Sequence, residues 1–211
     1  MQLYFQPLAC SLASRIVLYE AGAEAMFTEI DTKAKRTLDG DDFLAVNPLG
    51  LVPVLRTDEG DLLTENAAVL QFIADQHHAA GLAPLGGLGR ARLQQWLCFI
   101  GTELHKALFV VLLDPKQGDA ARARAREIGA SRLAYLDAHL AGRDYLLDAF
   151  TVADAYLVTV LNWSRATAVD LTPYPAVKAY FERLQARPSV ARAMGEEFEL
   201  YRAEQARRAA A

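Results

Sequence analysis

The stretch that most constrains this chain is Asn47-Pro48-Leu49-Gly50-Leu51-Val52-Pro53-Val54-Leu55. Leu51 to Leu55 has the composition of a strand, yet Pro53 lies inside it. Proline has no N–H for a strand ladder, so it belongs at an edge, a bulge or a special turn. A cis Val52–Pro53 bond is one way to meet that demand, because X–Pro bonds lose most of the usual trans preference; a plain trans turn is the other. A bend here leaves the N–H and C=O of Val52 without a partner strand. An extended peptide could pair with them, as in strand addition.

A second feature follows. Asp58-Glu59-Gly60-Asp61 is a turn signal between two apolar runs, which predicts a hairpin. Leu63-Thr64-Glu65-Asn66 then opens a helical pattern from Ala67 to Gln76, with Asn66 as the expected N-cap. The open N–H groups of a helix start attract a carboxylate, and Glu65 beside them could hold an ammonium group. Simple capping explains the same residues without a ligand.

The order of elements suggests two domains. Gln2 to Phe5 is a strand, Pro7 to Ser11 a loop, Leu12 to about Gly22 a helix and Met26 to Ile30 a second strand. This is a βαβ unit. Thr32 to Gly40 reads as a basic polar loop and Asp41 to Val46 as one short helix; the hairpin and a helix to about His78 follow. Residues 81–89 contain four glycines and a proline, a composition break taken as the linker between a domain of residues 1–80 and one of residues 90–211. After it no strand signal competes. Arg90 to Leu113 places Leu93, Trp96, Leu97, Ile100 and Leu104 at core spacing. Further helices are expected over Asp119 to Leu140, Val152 to about Ala168 behind a Thr151–Asp154 capping box, Pro175 to Ala186, and Ser189 to about Ala203. The Ala/Arg tail beyond is expected to fray.

Bulk properties exclude several roles. The chain has 211 residues, 53% apolar and 23% charged, with a net charge of −4, so a sizeable core is expected and disorder is not. The acidic balance argues against nucleic-acid binding. No apolar run reaches the roughly 18 residues that would suggest a membrane span. The N-terminus lacks the charged leader of a signal peptide. Cys10 and Cys98 are too few for a disulfide framework, and the four scattered histidines suggest no metal site. A cytoplasmic enzyme is expected.

Cys10 stands where a loop meets a helix start, which favours a thiolate; Ser11 beside it could donate to a sulfur. Cys10 also fits as a small buried residue. On the long helix Gln94, Cys98, His105 and Phe109 fall on one stripe by α-helical spacing. That stripe could line a cleft, or be the boundary face of a bundle with His105 as a satisfied structural histidine. Lys35 and Lys106 could meet an anion, or lie in solvent.

Taken together, these segments resemble the cytosolic glutathione transferases over essentially the whole chain, most closely the bacterial beta class. The matching pieces are Cys10-Ser11-Leu12, Asn47 to Leu55, Leu63-Thr64-Glu65, Trp96-Leu97-x-Phe99 with Glu103-x-His105-Lys106, and Phe150 to Leu157. The resemblance implies an α/β thioredoxin-like N-terminal domain, an all-α C-terminal domain and a homodimer. It implies that Pro53 is cis, that Val52 pairs with the cysteinyl backbone of glutathione, and that Glu65 and Asn66 take its γ-glutamyl end. Lys35 and Lys106 would reach the glycyl carboxylate. Leu51 stands where the family usually has a polar residue, Asn66 where it has a small one, and Cys98 where Asn is common; all three positions belong to the implied glutathione site. Cys10, Ser11 and His105 are the implied catalytic group, Phe109, Leu112 and Trp163 the implied wall for the second substrate, and Asp154 a buried cap. The implied reaction joins the glutathione thiolate to a small electrophile, as in detoxification, with glutathione as substrate and no metal. Two alternatives stay open: glutathione-dependent thiol–disulfide exchange through Cys10, and a non-catalytic binding protein of the same fold.

Overall fold

The structure, a computed structural model, describes residues 1–209. They form two compact units, one of residues 1–82 together with the last helix, the other Ala83–Arg187.

The first unit is built on a five-stranded sheet in the order β3-β2-β1-β4-β5. Its strands are β1 (Gln2–Phe5), β2 (Met26–Asp31), β3 (Arg36–Thr37), β4 (Val54–Arg56) and β5 (Leu62–Leu63). β1 pairs with β2 in parallel, across the expected βαβ crossover through α1 (Leu12–Glu20); the other pairings are antiparallel. Leu3, Tyr4 and Phe5 are all buried, as befits a central strand covered on both faces. The supposed polar loop after β2 contains the short edge strand β3. The expected helix at residues 41–46 is only a single 3₁₀ turn, Phe43–Ala45, started by the Asp42 carboxylate accepting from Leu44 N–H at 3.0 Å. α2 (Asn66–Gln76) follows β5, and a second 3₁₀ turn, His78–Ala80, ends the segment.

The second unit is helical. α3 (Gly87–Phe99) begins inside the glycine-rich stretch expected to be all linker, where Arg90 Nε donates to Pro84 O at 2.7 Å. It runs on through a π-helical stretch, Ile100–Val110, into α4 (Val111–Leu113). This run is, by length and composition alone, apolar enough to cross a membrane, contrary to the expectation that no stretch is. One face of the run is packed inside the protein: Leu93, Trp96, Leu97, Ile100, Leu104, Leu108 and Leu112 are buried, while Leu88, Val110 and Leu113 are exposed, and Glu103 on the same run pairs with Arg132 at 2.7 Å.

α5 (Asp119–Leu140) matches its expected bounds. α6 (Val152–Asn162) stops short of Ala168, where the separate turn of α7 (Ser164–Thr167) takes over; α8 (Pro175–Gln185) completes the unit. The Asp154 carboxylate is fully buried and accepts four bonds, from Thr151 N–H and Oγ1, Leu146 N–H and Tyr180 Oη, all between 2.8 and 2.9 Å. One side chain therefore starts α6, holds the preceding loop and ties α8.

The last helix, α9 (Pro188–Ala209), departs from the expected division. It belongs with the first unit, packed along α1, and it continues through most of the tail expected to fray; residues 210 and 211 lie outside the described residues. The reason is polar. Arg15 on α1 is 4% exposed and lies over the rings of Phe5 and Phe27, at 4.4 and 4.0 Å from their centroids. Its Nε donates to the buried Glu197 carboxylate at 2.9 Å, and Nη1 reaches Glu196 at 3.2 Å. The other Glu197 oxygen accepts from Leu8 N–H at 2.7 Å. Burial pushes the Glu197 carboxyl up to about 7, outweighing the pull of Arg15.

Removing one member of such a buried pair strands the other. Glu197→Ala should therefore cost about 3–5 kcal/mol of unfolding free energy, with Glu197→Gln costing less because it keeps an acceptor. Urea denaturation of the two variants checks this.

Candidate functional site

The residues singled out from sequence fall into two groups, one in each unit. In the first unit they converge on the segment before β4. The Val52–Pro53 peptide bond is cis. The ladder with β1 begins only at Val54, opposite Tyr4, so Val52 stays outside it. The Val52 side chain is half-buried and packs against the cluster of Tyr4, Ile30, Phe43 and Val54. Its N–H has no hydrogen-bond partner among the described residues. Its C=O accepts the Cys10 thiol at 3.3 Å.

The loop ahead of Val52 is held in shape from within. Asn47 is buried; its Nδ2 donates to Leu51 O at 2.8 Å and its Oδ1 accepts from Leu49 N–H at 3.1 Å. Gly50 sits at φ +61°, and a Cβ there would lie 2.6 Å from Lys35 Cδ. Only glycine lets the Lys35 chain lie across the loop, where its Nζ donates to Gly50 O at 2.8 Å. Leu51 is exposed. Lys35 is thus brought to the loop, with its ammonium engaged by a neutral carbonyl.

At the start of α1 the expected pair separates. Cys10 is half-buried with its sulfur directed at Val52 O. Ser11 is fully buried, and its hydroxyl donates to Gln6 O at 3.2 Å and accepts from Gln6 N–H at 3.3 Å. It stitches the loop before the helix, which is at odds with a hydroxyl offered to a sulfur.

At α2 the capping expectation is corrected. Glu65 occupies the N-cap position, exposed and at φ 62°, and Asn66 is the first helical residue. The Glu65 carbonyl accepts from Ala68 and Val69 N–H, at 2.9 and 3.0 Å, and no side chain caps the helix. The N–H groups of Asn66 and Ala67 have no intrahelical acceptor. Asn66 is 93% buried because its side chain turns inward: Oδ1 accepts from Ser14 Oγ at 3.3 Å, and Nδ2 has no partner. Ser14 is a member of this group that the sequence did not flag, though its place one turn after Cys10 on α1 was a usable signal.

In the second unit the stripe of Gln94, Cys98, His105 and Phe109 is not one face. Cys98 is exposed, while His105 and Phe109 are buried. The spacing argument assumed α-helical turns. From Ile100 the chain forms wider π turns, bonded i→i+5, and the phase slips. His105 Nδ1 lies 2.6 Å from Tyr156 Oη, and its ring stands edge-on to Trp163 at 4.8 Å between centroids. Burial, with the charge of Lys106 adding to it, pulls the imidazole down to about 4, so the ring is neutral at pH 7. Tyr156 lies within Phe150 to Leu157, and nothing in that segment's sequence signals that its hydroxyl reaches His105. Lys106 itself is exposed. Phe109, Leu112 and Trp163, expected to wall a second substrate, are buried at 0%, 5% and 8% exposure; Phe109 and Trp163 pack edge to face. Among the described residues no cluster of three or more His, Cys, Asp or Glu side chains could hold a metal ion.

Comparison with known proteins gives a consistent result. Residues 9–76 match the family pattern described as "Glutathione S-transferase, N-terminal domain", and residues 99–188 the one described as "Glutathione S-transferase, C-terminal domain". The chain is 38% identical over 199 residues to glutathione S-transferase GstA of Escherichia coli O157:H7, covering 93% of this chain and 98% of that protein. Among solved structures it is similar to a sphingomonad glutathione S-transferase complexed with glutathione, at 47% identity and a TM-score of 0.89, covering 93% of this chain and 98% of the other. A bacterial beta class glutathione S-transferase from Sphingomonas chungbukensis matches at 43% identity, a TM-score of 0.89 and the same coverage.

The buried histidine makes a pH prediction. Its folded pKa of about 4 lies below the value of 6.5 for a free imidazole, so the unfolded state binds the proton more tightly. Stability from this group is complete above about pH 6.5 and is lost as pH falls towards 4, by about 3 kcal/mol in all. Unfolding curves between pH 4 and 7 should show that slope, and His105→Gln should flatten it.

Proposed function

The chain belongs to the glutathione S-transferase family and is an enzyme of that kind, and from this premise we propose how its own residues use glutathione. The cysteinyl portion of the tripeptide adds to the sheet edge ahead of β4, its main chain exchanging bonds with the N–H and C=O of Val52. The γ-glutamyl carboxylate lies on the open N–H groups of α2, and Glu65 takes the adjacent ammonium. Lys35 exchanges its bond to Gly50 O for the glycyl carboxylate, a stronger charge-assisted partner. The observation that carries this reading is Val52: a main-chain segment whose side chain is anchored while its N–H is open.

That placement lays the glutathione sulfur beside the start of α1. A thiolate is the nucleophile, so the site must favour the charged sulfur. Lowering a thiol pKa by two units takes about 2.7 kcal/mol of differential stabilisation. A helix start supplies about 0.3–1 kcal/mol, so further donors at the sulfur are needed, and the Cys10 thiol is the nearest candidate. The thiol proton leaves to solvent, the thiolate forms a C–S bond with an apolar electrophile, and the leaving group departs with the electron pair. Thioredoxin-like thiol–disulfide exchange through Cys10 is the second reading, supported by a half-buried thiol at a helix start. The proposal extends to a cytoplasmic homodimer, which the family resemblance implies.

Isothermal calorimetry with glutathione tests the core of this. Lys35→Ala and Glu65→Ala should each weaken binding about tenfold, the loss of one exposed charged contact plus its hydrogen bonds; no heat from the unaltered protein at millimolar glutathione overturns the reading. A thioether product with an activated aryl halide identifies the transferase chemistry. A glutathione adduct on Cys10 after oxidised glutathione, with no thioether product, shifts the assignment to disulfide exchange.

A further inference from the structure

The Val52 carbonyl is already in use. Cys10 Sγ donates to it at 3.3 Å, while the Val52 N–H beside it is open. We propose that the Cys10 thiol is an internal competitor for the glutathione main chain: it occupies the acceptor that the tripeptide's N–H requires, and binding displaces it. The inference rests on the functional reading above and adds a specificity role for Cys10 that is separate from any nucleophilic one.

Four observations support it. Val52 is positioned by its side chain, packed into the Tyr4, Ile30, Phe43 and Val54 cluster, so its carbonyl does not swing away from the thiol to meet a ligand elsewhere. The adjoining loop is fixed by Asn47, which bonds Leu51 O and Leu49 N–H, so the segment does not slide to offer another carbonyl in place of Val52 O. Cys10 is half-buried just ahead of α1, with its sulfur on Val52 O, the main-chain acceptor in question. Ser11, the neighbouring donor, is buried and bonded to Gln6, which leaves the thiol as the donor supplied by this turn.

A carbonyl oxygen has two lone pairs, so a ligand N–H either shares the oxygen with the thiol or replaces it. Sharing weakens both bonds. Either way the free protein holds a bond that the complex loses in whole or part, and glutathione binds less tightly than the bare carbonyl would allow. No proton is transferred and no bond is made or broken covalently; the thiol turns its S–H from Val52 O towards the incoming sulfur. That rotation places a donor at the glutathione sulfur only after the tripeptide is seated, so the stabilising group arrives with the ligand.

The sign of the expected effect distinguishes this role from an ordinary contact. S–H is a weak donor, so Cys10→Ala should bind S-methylglutathione roughly two- to fivefold more tightly than the unaltered protein in calorimetry. S-methylglutathione carries no thiol, so disulfide formation cannot contribute. Equal or weaker binding by Cys10→Ala overturns the proposal. A spectroscopic arm reads the bond directly. In a Cys98→Ser background Cys10 gives the sole S–H stretching band of the protein, and saturating S-methylglutathione should move it to the higher frequency of a less strongly bonded thiol. A band that stays in place in a saturated sample overturns the proposal even if the affinities differ. Failure of the unaltered protein to bind S-methylglutathione or glutathione at all overturns the functional reading itself, and this inference with it.

Discussion

Proline 53 has no N–H to give, and the architecture of the first unit follows from where that deficit falls. β4 can join β1 only from Val54 onward, opposite Tyr4, Leu3 and Gln2. The residue before the proline is therefore held next to the sheet without being part of it. Its side chain is recruited by the hydrophobic cluster beneath, and its main chain takes no part in the β1–β4 ladder. A strand residue would have spent both polar groups on its neighbour. The other parts of the site serve this one segment: Asn47 shapes the loop that leads to it, Gly50 makes room for Lys35 across that loop, and Cys10 bonds the carbonyl at its end.

The first helix ties this segment to the rest of the unit. α1 carries Cys10 ahead of its first turn, Ser14 against Asn66, and Arg15 against Glu197. A buried arginine on a short helix is expensive to desolvate and is retained only with partners on several sides. Here two aromatic rings cover the guanidinium, and two carboxylates of α9 accept from it. Glu197 also accepts from Leu8 N–H, which sits at φ 59° in the loop before Cys10. The last helix in the chain thus fixes the backbone just ahead of Cys10. This explains why α9 belongs to the first unit although it follows the helical one in sequence.

The fold was largely legible because its signals are local. β1, α1, β2, the hairpin and the long helices follow from alternation, apolar spacing and turn residues, and Pro53 marked the break in the ladder ahead of β4. The elements missed or misread depended on contacts distant in sequence. Nothing in Pro188 to Ala209 says that its partner is Arg15, some 180 residues earlier. Asn66 has the chemistry of an N-cap, but Glu65 takes that place and the Asn66 side chain turns inward to Ser14. Ser11 looks like a free donor until Gln6 is seen to use both sides of its hydroxyl. The stripe through Cys98 and His105 failed for a different reason: a spacing argument is only as good as the assumed turn, and the π-helical stretch changes it after residue 99.

The same stretch bears on which group activates the thiol. The family resemblance implies that His105, with Cys10 and Ser11, tunes the sulfur. An imidazole held at about 4 would have to take a proton from a thiol whose ordinary pKa is about 8.5, an uphill transfer of about 6 kcal/mol. General bases are effective when their pKa lies near the working pH, and this one lies well below it. Protonating the ring would also charge a group packed between Tyr156 and Trp163. The energetics therefore favour lowering the thiol pKa by donors and a helix start over proton removal by His105. The histidine keeps its neutral ring as a packing and hydrogen-bonding element of the second unit, with Nδ1 2.6 Å from Tyr156 Oη.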